Sequence, residues 1–191
     1  MSTAHFLWLM ATTALVLPFL DVWRWFGRDW VERAIFGRAV LGVLELAALG
    51  AWWLVRGRWR LLPEDDVLLA IAGAILALTG ALLVAWSKRT LGRLFSPQLG
   101  VQRGHRLITS GPFAIVRHPI YLGVIDYIFG SALVFHDAAL LALAGLYAVF
   151  FTLQLRLEEA IFRRHFGAEW EAYRARVPAL LPRLRPGRTP R

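Results

Sequence analysis

Five stretches of this chain are long and apolar enough to cross a lipid bilayer, and that excludes most folds at once. A helical span needs about 20 mainly apolar residues. Only helices and closed barrels satisfy their own backbone hydrogen bonds inside hydrocarbon. The stretches run from about Phe6 to Trp25, Ala34 to Val55, Val67 to Trp86, Pro119 to Phe135 and Ala138 to Leu155, with Pro18 a candidate kink in the first. Only His136 and Asp137 separate the last two, which predicts a tight hairpin. Trp23, Trp25, Trp52, Trp53 and Trp86 lie at segment ends, where interfacial tryptophans sit. The predicted fold class is all-α: an integral membrane helical bundle of about five transmembrane helices plus a C-terminal amphipathic helix. Residues 1–191 form one domain. It divides into three N-terminal helices (1–87), a loop, helical hairpin and C-terminal helix (88–178), and a basic tail (179–191).

Composition agrees: 58% of residues are apolar and the mean hydropathy is +0.52, too apolar for an ordinary soluble domain. A net charge of +9 in a soluble protein would point to nucleic acid. Here the charge lies between apolar segments, so anionic lipid headgroups are the expected partner and nucleic acid is not. There is no cysteine, hence no disulfide and no thiolate metal site, and no metal is expected. No cleavable signal peptide is expected either, since the first charged residue is Asp21 and no basic region precedes the apolar run.

Loop charges give an orientation. Arg24, Arg28 and Arg33 follow the first span, and Lys88, Arg89, Arg93, Arg103, Arg106 and Arg117 lie between the third and fourth. Nine arginines from Arg156 to Arg191 follow the fifth. All of these fall on one side; Arg56, Arg58 and Arg60 fall on the other. The positive-inside rule predicts a multi-pass protein of the cytoplasmic membrane with its N-terminus outside and its C-terminus in the cytoplasm.

Polar residues inside the spans are expensive and must face the bundle or water. Arg38 and Glu45 share a face of the second span and read as an internal pair. Asp126 follows His118 and Leu122 on one face of the fourth and reads equally as a buried residue or as one looking into a cavity. Gln154 lies near the end of the fifth.

Between the third and fourth spans, Arg89 to Tyr121 is too polar to cross the bilayer and too long for an idle connection. Ser110-Gly111-Pro112 reads as a turn, and Arg117-His118-Pro119 as a helix start with proline at the first helical position. That proline holds His118 out of the helical region, beside free backbone N–H groups that suit a carboxylate. Taken alone, the tripeptide reads more simply as an ordinary basic, proline-capped membrane helix. After the fifth span, Phe162, Phe166, Trp170 and Tyr173 make one apolar stripe on a continuing helix, and Gln154 and Glu158 extend that face toward the bilayer. Glu159 is rotated by about 100°, so a solvated position on an interfacial helix is expected for it.

The two stretches together carry a family resemblance. The block His105-Arg106-Leu107-Ile108-Thr109 through Arg117-His118-Pro119-Ile120-Tyr121-Leu122-Gly123 is followed by Glu158-Glu159, Phe166-Gly167, Tyr173 and Val177-Pro178. In this spacing the chain resembles the isoprenylcysteine carboxyl methyltransferase and phospholipid N-methyltransferase superfamily over Gln98 to Pro178. The resemblance implies an S-adenosylmethionine-dependent methyltransferase of a lipophilic or lipid-linked small substrate. It implies a cofactor site at the cytoplasmic side made from Gln98, His105, Arg106, Leu107, Ile108, Phe113, His118, Pro119, Ile120, Tyr121 and Glu158. Within it, His118 and the helix start would meet the methionine carboxylate, and Glu158 the ammonium or ribose hydroxyls. Tyr121 and Phe113 would pack on the adenine or beside the sulfonium. Phe113 stands where the family usually has Tyr. Gln154 stands where the eukaryotic prenylcysteine enzymes carry an Arg that handles the substrate carboxylate, and Arg156 lies on another face.

The implied reaction is direct in-line methyl transfer, in which the protein positions a nucleophile and excludes water. A carboxylate or thiolate needs no base; an amine or phenol does. No residue is identified as catalytic from the sequence; Gln154, Arg156 and Asp126 are candidates, with Asp126 or Glu159 as a proton acceptor. Two other readings stay open: an NADPH-dependent enzyme like the membrane sterol reductases, and a non-catalytic membrane scaffold.

Overall fold

The computed structural model describes residues 30–33, 66–95, 100–102 and 104–182. The first two expected spans, with Arg38 and Glu45, lie outside the described residues. Four helices organise the rest: α1 (Val67–Leu91), α2 (Pro119–Phe135), α3 (Ala138–Phe166) and α4 (Ala168–Arg176). The dominance of helix is as expected. One small addition is an antiparallel pair between β1 (Trp30–Arg33) and β2 (Gly100–Gln102).

Helix α1 starts at Asp66, whose carboxylate accepts from the Leu69 amide at 3.0 Å and satisfies one of the orphan donors of the first turn. Its buried face is a stripe of small residues: Ala70, Gly73, Ala74, Ala77, Gly80 and Ala81. The stripe lets the α1 and α2 backbones touch. A Cβ added at Gly80 would lie 2.5 Å from the Gly123 carbonyl oxygen, and one at Gly130 would lie 2.5 Å from that of Gly73. In hydrocarbon, where lipid tails are as apolar as leucine, such close packing supplies much of the helix–helix attraction.

Helices α2 and α3 form the expected hairpin. His136 adopts a left-handed conformation, φ 52°, and its N–H caps the carbonyls of Ala132 and Leu133. Asp137 then starts α3, its carboxylate accepting from Ala139 at 2.8 Å and Leu140 at 3.3 Å. The 29 residues of α3 reach about 43 Å, longer than the roughly 30 Å hydrocarbon core of a bilayer.

Helices α1 and α3 are both long and apolar enough to cross a membrane; the short 3-10 turn after α1 prolongs that segment to Leu94. Only 33% of each apolar window is buried within the protein, unlike the core helix of a soluble domain. Leu146, Val149, Leu153 and Leu157 form an exposed apolar row down α3, as a lipid-facing surface requires. Helix α2 is apolar but shorter, 17 residues.

The continuing helix after the fifth span is corrected in one respect: it breaks at Gly167. That residue takes φ 53°, and its N–H closes on the Arg163 carbonyl at 3.0 Å, so α4 leaves at a new angle. The aromatic stripe survives the bend, with Trp170 5.2 Å from Phe162 and 5.6 Å from Tyr173 between ring centroids.

Candidate functional site

Among the described residues, a polar cluster lies where α2 begins and the apolar part of α3 ends. Pro119 fixes the first turn of α2, and His118 stands before it in a non-helical conformation. The chain following α4 holds this junction from outside: the Arg117 and His118 amides donate to the carbonyls of Pro178 (2.8 Å) and Ala179 (3.0 Å). Tyr173 on α4 donates its hydroxyl to the Phe113 carbonyl at 2.6 Å. Burial pushes the Tyr173 phenol up to about 12, so it remains a donor.

Two adjacent cationic side chains on one element meet two adjacent carboxylates on the other. Arg117 donates through Nε (3.0 Å) and Nη2 (2.6 Å) to Glu159 Oε1, and its Nη1 reaches the carbonyls of Arg174 and Val177. His118 is 5% exposed. Its Nε2 lies 3.2 Å from Glu159 Oε1 and its Nδ1 lies 3.4 Å from Glu158 Oε2. Burial alone would lower the His118 pKa; the hydrogen bonds and charges of Glu158 and Glu159 outweigh it, and the net shift is upward.

A second line of contacts runs toward the membrane. The Tyr121 ring stacks parallel to His118 at 5.5 Å and to Phe151 at 4.8 Å. Its hydroxyl donates to Glu158 Oε2 at 2.8 Å and accepts from Gln154 Nε2 at 3.0 Å. Gln154 is 4% exposed, and its Oε1 is buried without a hydrogen-bond partner among the described residues.

The residues singled out from the sequence divide accordingly. His118, Pro119, Tyr121, Gln154 and Glu158 come together at this junction. Phe113 is buried beside it, tied to Tyr173. Ile120 is half-buried on the first turn of α2. His105 lies against Phe162 (6.2 Å) and Phe166 (6.0 Å) on α3, with a buried, unpartnered Nδ1. Burial, then the nearby His165, lowers its pKa and favours the neutral ring. Leu107 packs on the Trp170–Tyr173–Val177 cluster, while Ile108 is half-buried and Arg106 exposed. Arg156 is exposed. Asp126 faces α1, its Cβ close to Gly80, and has no ion-pair partner among the described residues. Gln98 lies outside the described residues.

Two expectations change. Glu159 is not a solvated charge: its side chain is 13% exposed and holds both Arg117 and His118. Although the two glutamates leave α3 in different directions, they bracket one imidazole, each at its own nitrogen. His118 therefore has no ring nitrogen left to face an incoming carboxylate. The signal for the missed pairing was in the sequence: the Arg117-His118 doublet is matched by the Glu158-Glu159 doublet.

A family model described as phospholipid methyltransferase matches residues 68–169, more than half of the chain. Among curated proteins, the chain is 28% identical over 113 residues to protein-S-isoprenylcysteine O-methyltransferase B of Arabidopsis thaliana, covering 58% of this chain and 57% of that one. It is 30% identical over 142 residues to the nickel-cobalt-cadmium resistance protein NccN of Alcaligenes xylosoxydans xylosoxydans, covering 67% and 64%. It is 36% identical over 72 residues to methanethiol S-methyltransferase 2 of Bradyrhizobium diazoefficiens, covering 38% and 27%. In each case the chain spans less than two thirds of its relative's length. The family match runs from α1 through the hairpin and takes in Arg117, His118, Tyr121, Gln154, Glu158 and Glu159: the chain belongs to the phospholipid methyltransferase family.

Proposed function

We propose that this protein is an integral membrane methyltransferase that takes its methyl group from S-adenosylmethionine and transfers it to a lipophilic substrate drawn from the bilayer. The observation that carries the reading is the junction itself. A carboxylate, an imidazole, a phenol and an amide converge where a lipid-facing hairpin meets the aqueous side, within the family match. Relatives named for isoprenylcysteine and methanethiol share methyl transfer and differ in acceptor, which supports the reaction and leaves the substrate open.

The residues present fit such a cofactor by their chemistry. Glu158 has a half-exposed carboxylate suited to an ammonium or to ribose hydroxyls. His105 offers a buried, unpartnered ring nitrogen in an aromatic surround, suited to a heterocycle edge. Loop residues Arg106 to Ile108 and Phe113 would complete the cradle. His118, saturated by two carboxylates, orients Glu158. When bound, the cofactor supplies an electrophilic methyl group on a sulfonium. The protein's own task is then to align a nucleophile, to exclude water with the Tyr121–Phe151 stack, and to accept a proton where the nucleophile carries one. Within the cluster, the acceptor nearest the apolar side is Glu158 Oε2, reached through the Tyr121 hydroxyl.

This reading puts the 104–121 loop and the segment after α3 on the cytoplasmic face, where the methyl donor is available, and the N-terminus outside. Purified protein incubated with methyl-labelled donor and a membrane lipid extract should yield a labelled lipophilic product detectable by mass. Absence of label, together with NADPH-dependent reduction in the same extract, would favour the reductase reading instead.

A further inference from the structure

Among the described residues of the junction, Gln154 has hydrogen bonding that is half complete. Its orientation follows from its neighbours. The Tyr121 O–H donates to the Glu158 carboxylate, pointing at Oε2 2.8 Å away. The Tyr121 oxygen then turns a lone pair to Gln154, which must present its NH2 group at 3.0 Å. The amide is thereby locked with Oε1 pointing away from Tyr121. That oxygen is buried and has no hydrogen-bond partner among the described residues, on a side chain 4% exposed. A buried acceptor left unpaired is costly, and native proteins pair nearly all such atoms. Gln154 also lies at the inner end of the apolar part of α3, one turn beyond Phe151 and one turn before Glu158. A bilayer-borne molecule would meet it before reaching the carboxylate.

We infer that Gln154 Oε1 is the specificity-determining acceptor of the substrate site, and that it selects a head group that donates a hydrogen bond: a hydroxyl, phenol, thiol or amine. The inference rests on the proposed function for the identity of the site and deepens it by naming the substrate class. A carboxylate head group is disfavoured there. Its lone pairs would face the amide carbonyl oxygen, and its charge would be buried with no described cation beside Gln154. Arg117 is committed to Glu159, and Arg156 is exposed.

The test uses two probes with the same alkyl tail, a long-chain 4-alkylphenol and the matching 4-alkylbenzoate. Both are titrated against the full chain in nanodiscs, with S-adenosylhomocysteine titrated separately. The phenol should bind at least about tenfold more tightly than the benzoate. Gln154→Met, similar in size but without the strong acceptor, should lose about tenfold in phenol affinity, the usual effect of one hydrogen bond. Gln154→Arg should reverse the preference. Equal or tighter benzoate binding by the unaltered protein overturns the inference, and so does an unchanged phenol affinity in a folded Gln154→Met protein. The unaltered chain's own preference decides the matter if a variant does not fold. Phenol preference without S-adenosylhomocysteine binding would sink the proposed function and leave this inference standing. Cofactor binding without the preference would do the reverse.

Discussion

Replacing Glu159 by Gln should destabilise the protein more than its place on a charged helix suggests. The Glu159 carboxylate receives two hydrogen bonds from Arg117, at 3.0 and 2.6 Å, and one contact from His118 at 3.2 Å. The Arg117 and Glu159 side chains are 8% and 13% exposed. Breaking a buried pair by removing one charge typically costs about 3–5 kcal/mol, because the other is left uncompensated. Arg117 keeps its bonds to the Arg174 and Val177 carbonyls, which places the expected loss at the lower end, about 3 kcal/mol. The internal control is Glu171→Gln. Its partner Arg163 is as close, at 2.6 Å, but the two side chains are 54% and 48% exposed. Solvent screening reduces such a pair to about 0–1 kcal/mol. Denaturation of both variants in one detergent gives the comparison, and hydrogen exchange gives its location. In Glu159→Gln the amides of Arg117 and His118, bonded to Pro178 and Ala179, should lose protection first. Equal destabilisation by the two changes would refute the reasoning that burial makes this pair different.

Further outcomes follow from the same geometry. His118 titrates above its ordinary value of 6.5, so its contribution to stability is full below about pH 6.5. That contribution is lost as pH rises through the raised folded value, and a pH–stability curve should show the fall and His118→Asn should flatten it. Gly80→Val forces a Cβ to within 2.5 Å of the Gly123 carbonyl oxygen and should cost at least about 1–3 kcal/mol, whereas Gly145→Ala, with open space around it, should be tolerated. Single cysteines in this naturally cysteine-free chain test the orientation. Gly104→Cys and Gly187→Cys should label only from the cytoplasmic side and Thr3→Cys only from outside; labelling of Gly104→Cys and Gly187→Cys from opposite sides would break the shared site.

The hairpin was legible because each of its determinants is local. Proline at the first turn of α2, two residues between apolar runs, and an Asp able to cap α3 leave one arrangement. Gln154 and Glu158 were legible as one helical face, His118 as the residue before a helix-starting proline, and Tyr121 through the family resemblance. The pairing of Arg117 with Glu159 was not, because it joins residues 42 apart and depends on where α3 passes α2. Rotation about the helix axis sets Glu159 apart from Glu158, and it could not show that both would turn toward one ring. The break at Gly167 was also hidden: a glycine within a helical pattern is compatible with continuing or ending, and the left-handed conformation decides it. The small-residue stripe of α1 reads in sequence as mere apolarity; its purpose emerges only with Gly123 and Gly130 opposite it.

The central claim is that the α2–α3 junction holds a methyl-donor cofactor through Glu158. Isothermal titration of the purified full chain with S-adenosylhomocysteine tests it directly, with NADPH as the competing ligand and Glu158→Gln as the altered protein. The account predicts saturable binding of S-adenosylhomocysteine, none of NADPH, and a loss of roughly tenfold or more in Glu158→Gln, the scale of one charge-assisted hydrogen bond. Binding of NADPH alone, or S-adenosylhomocysteine affinity unchanged by Glu158→Gln, would contradict it.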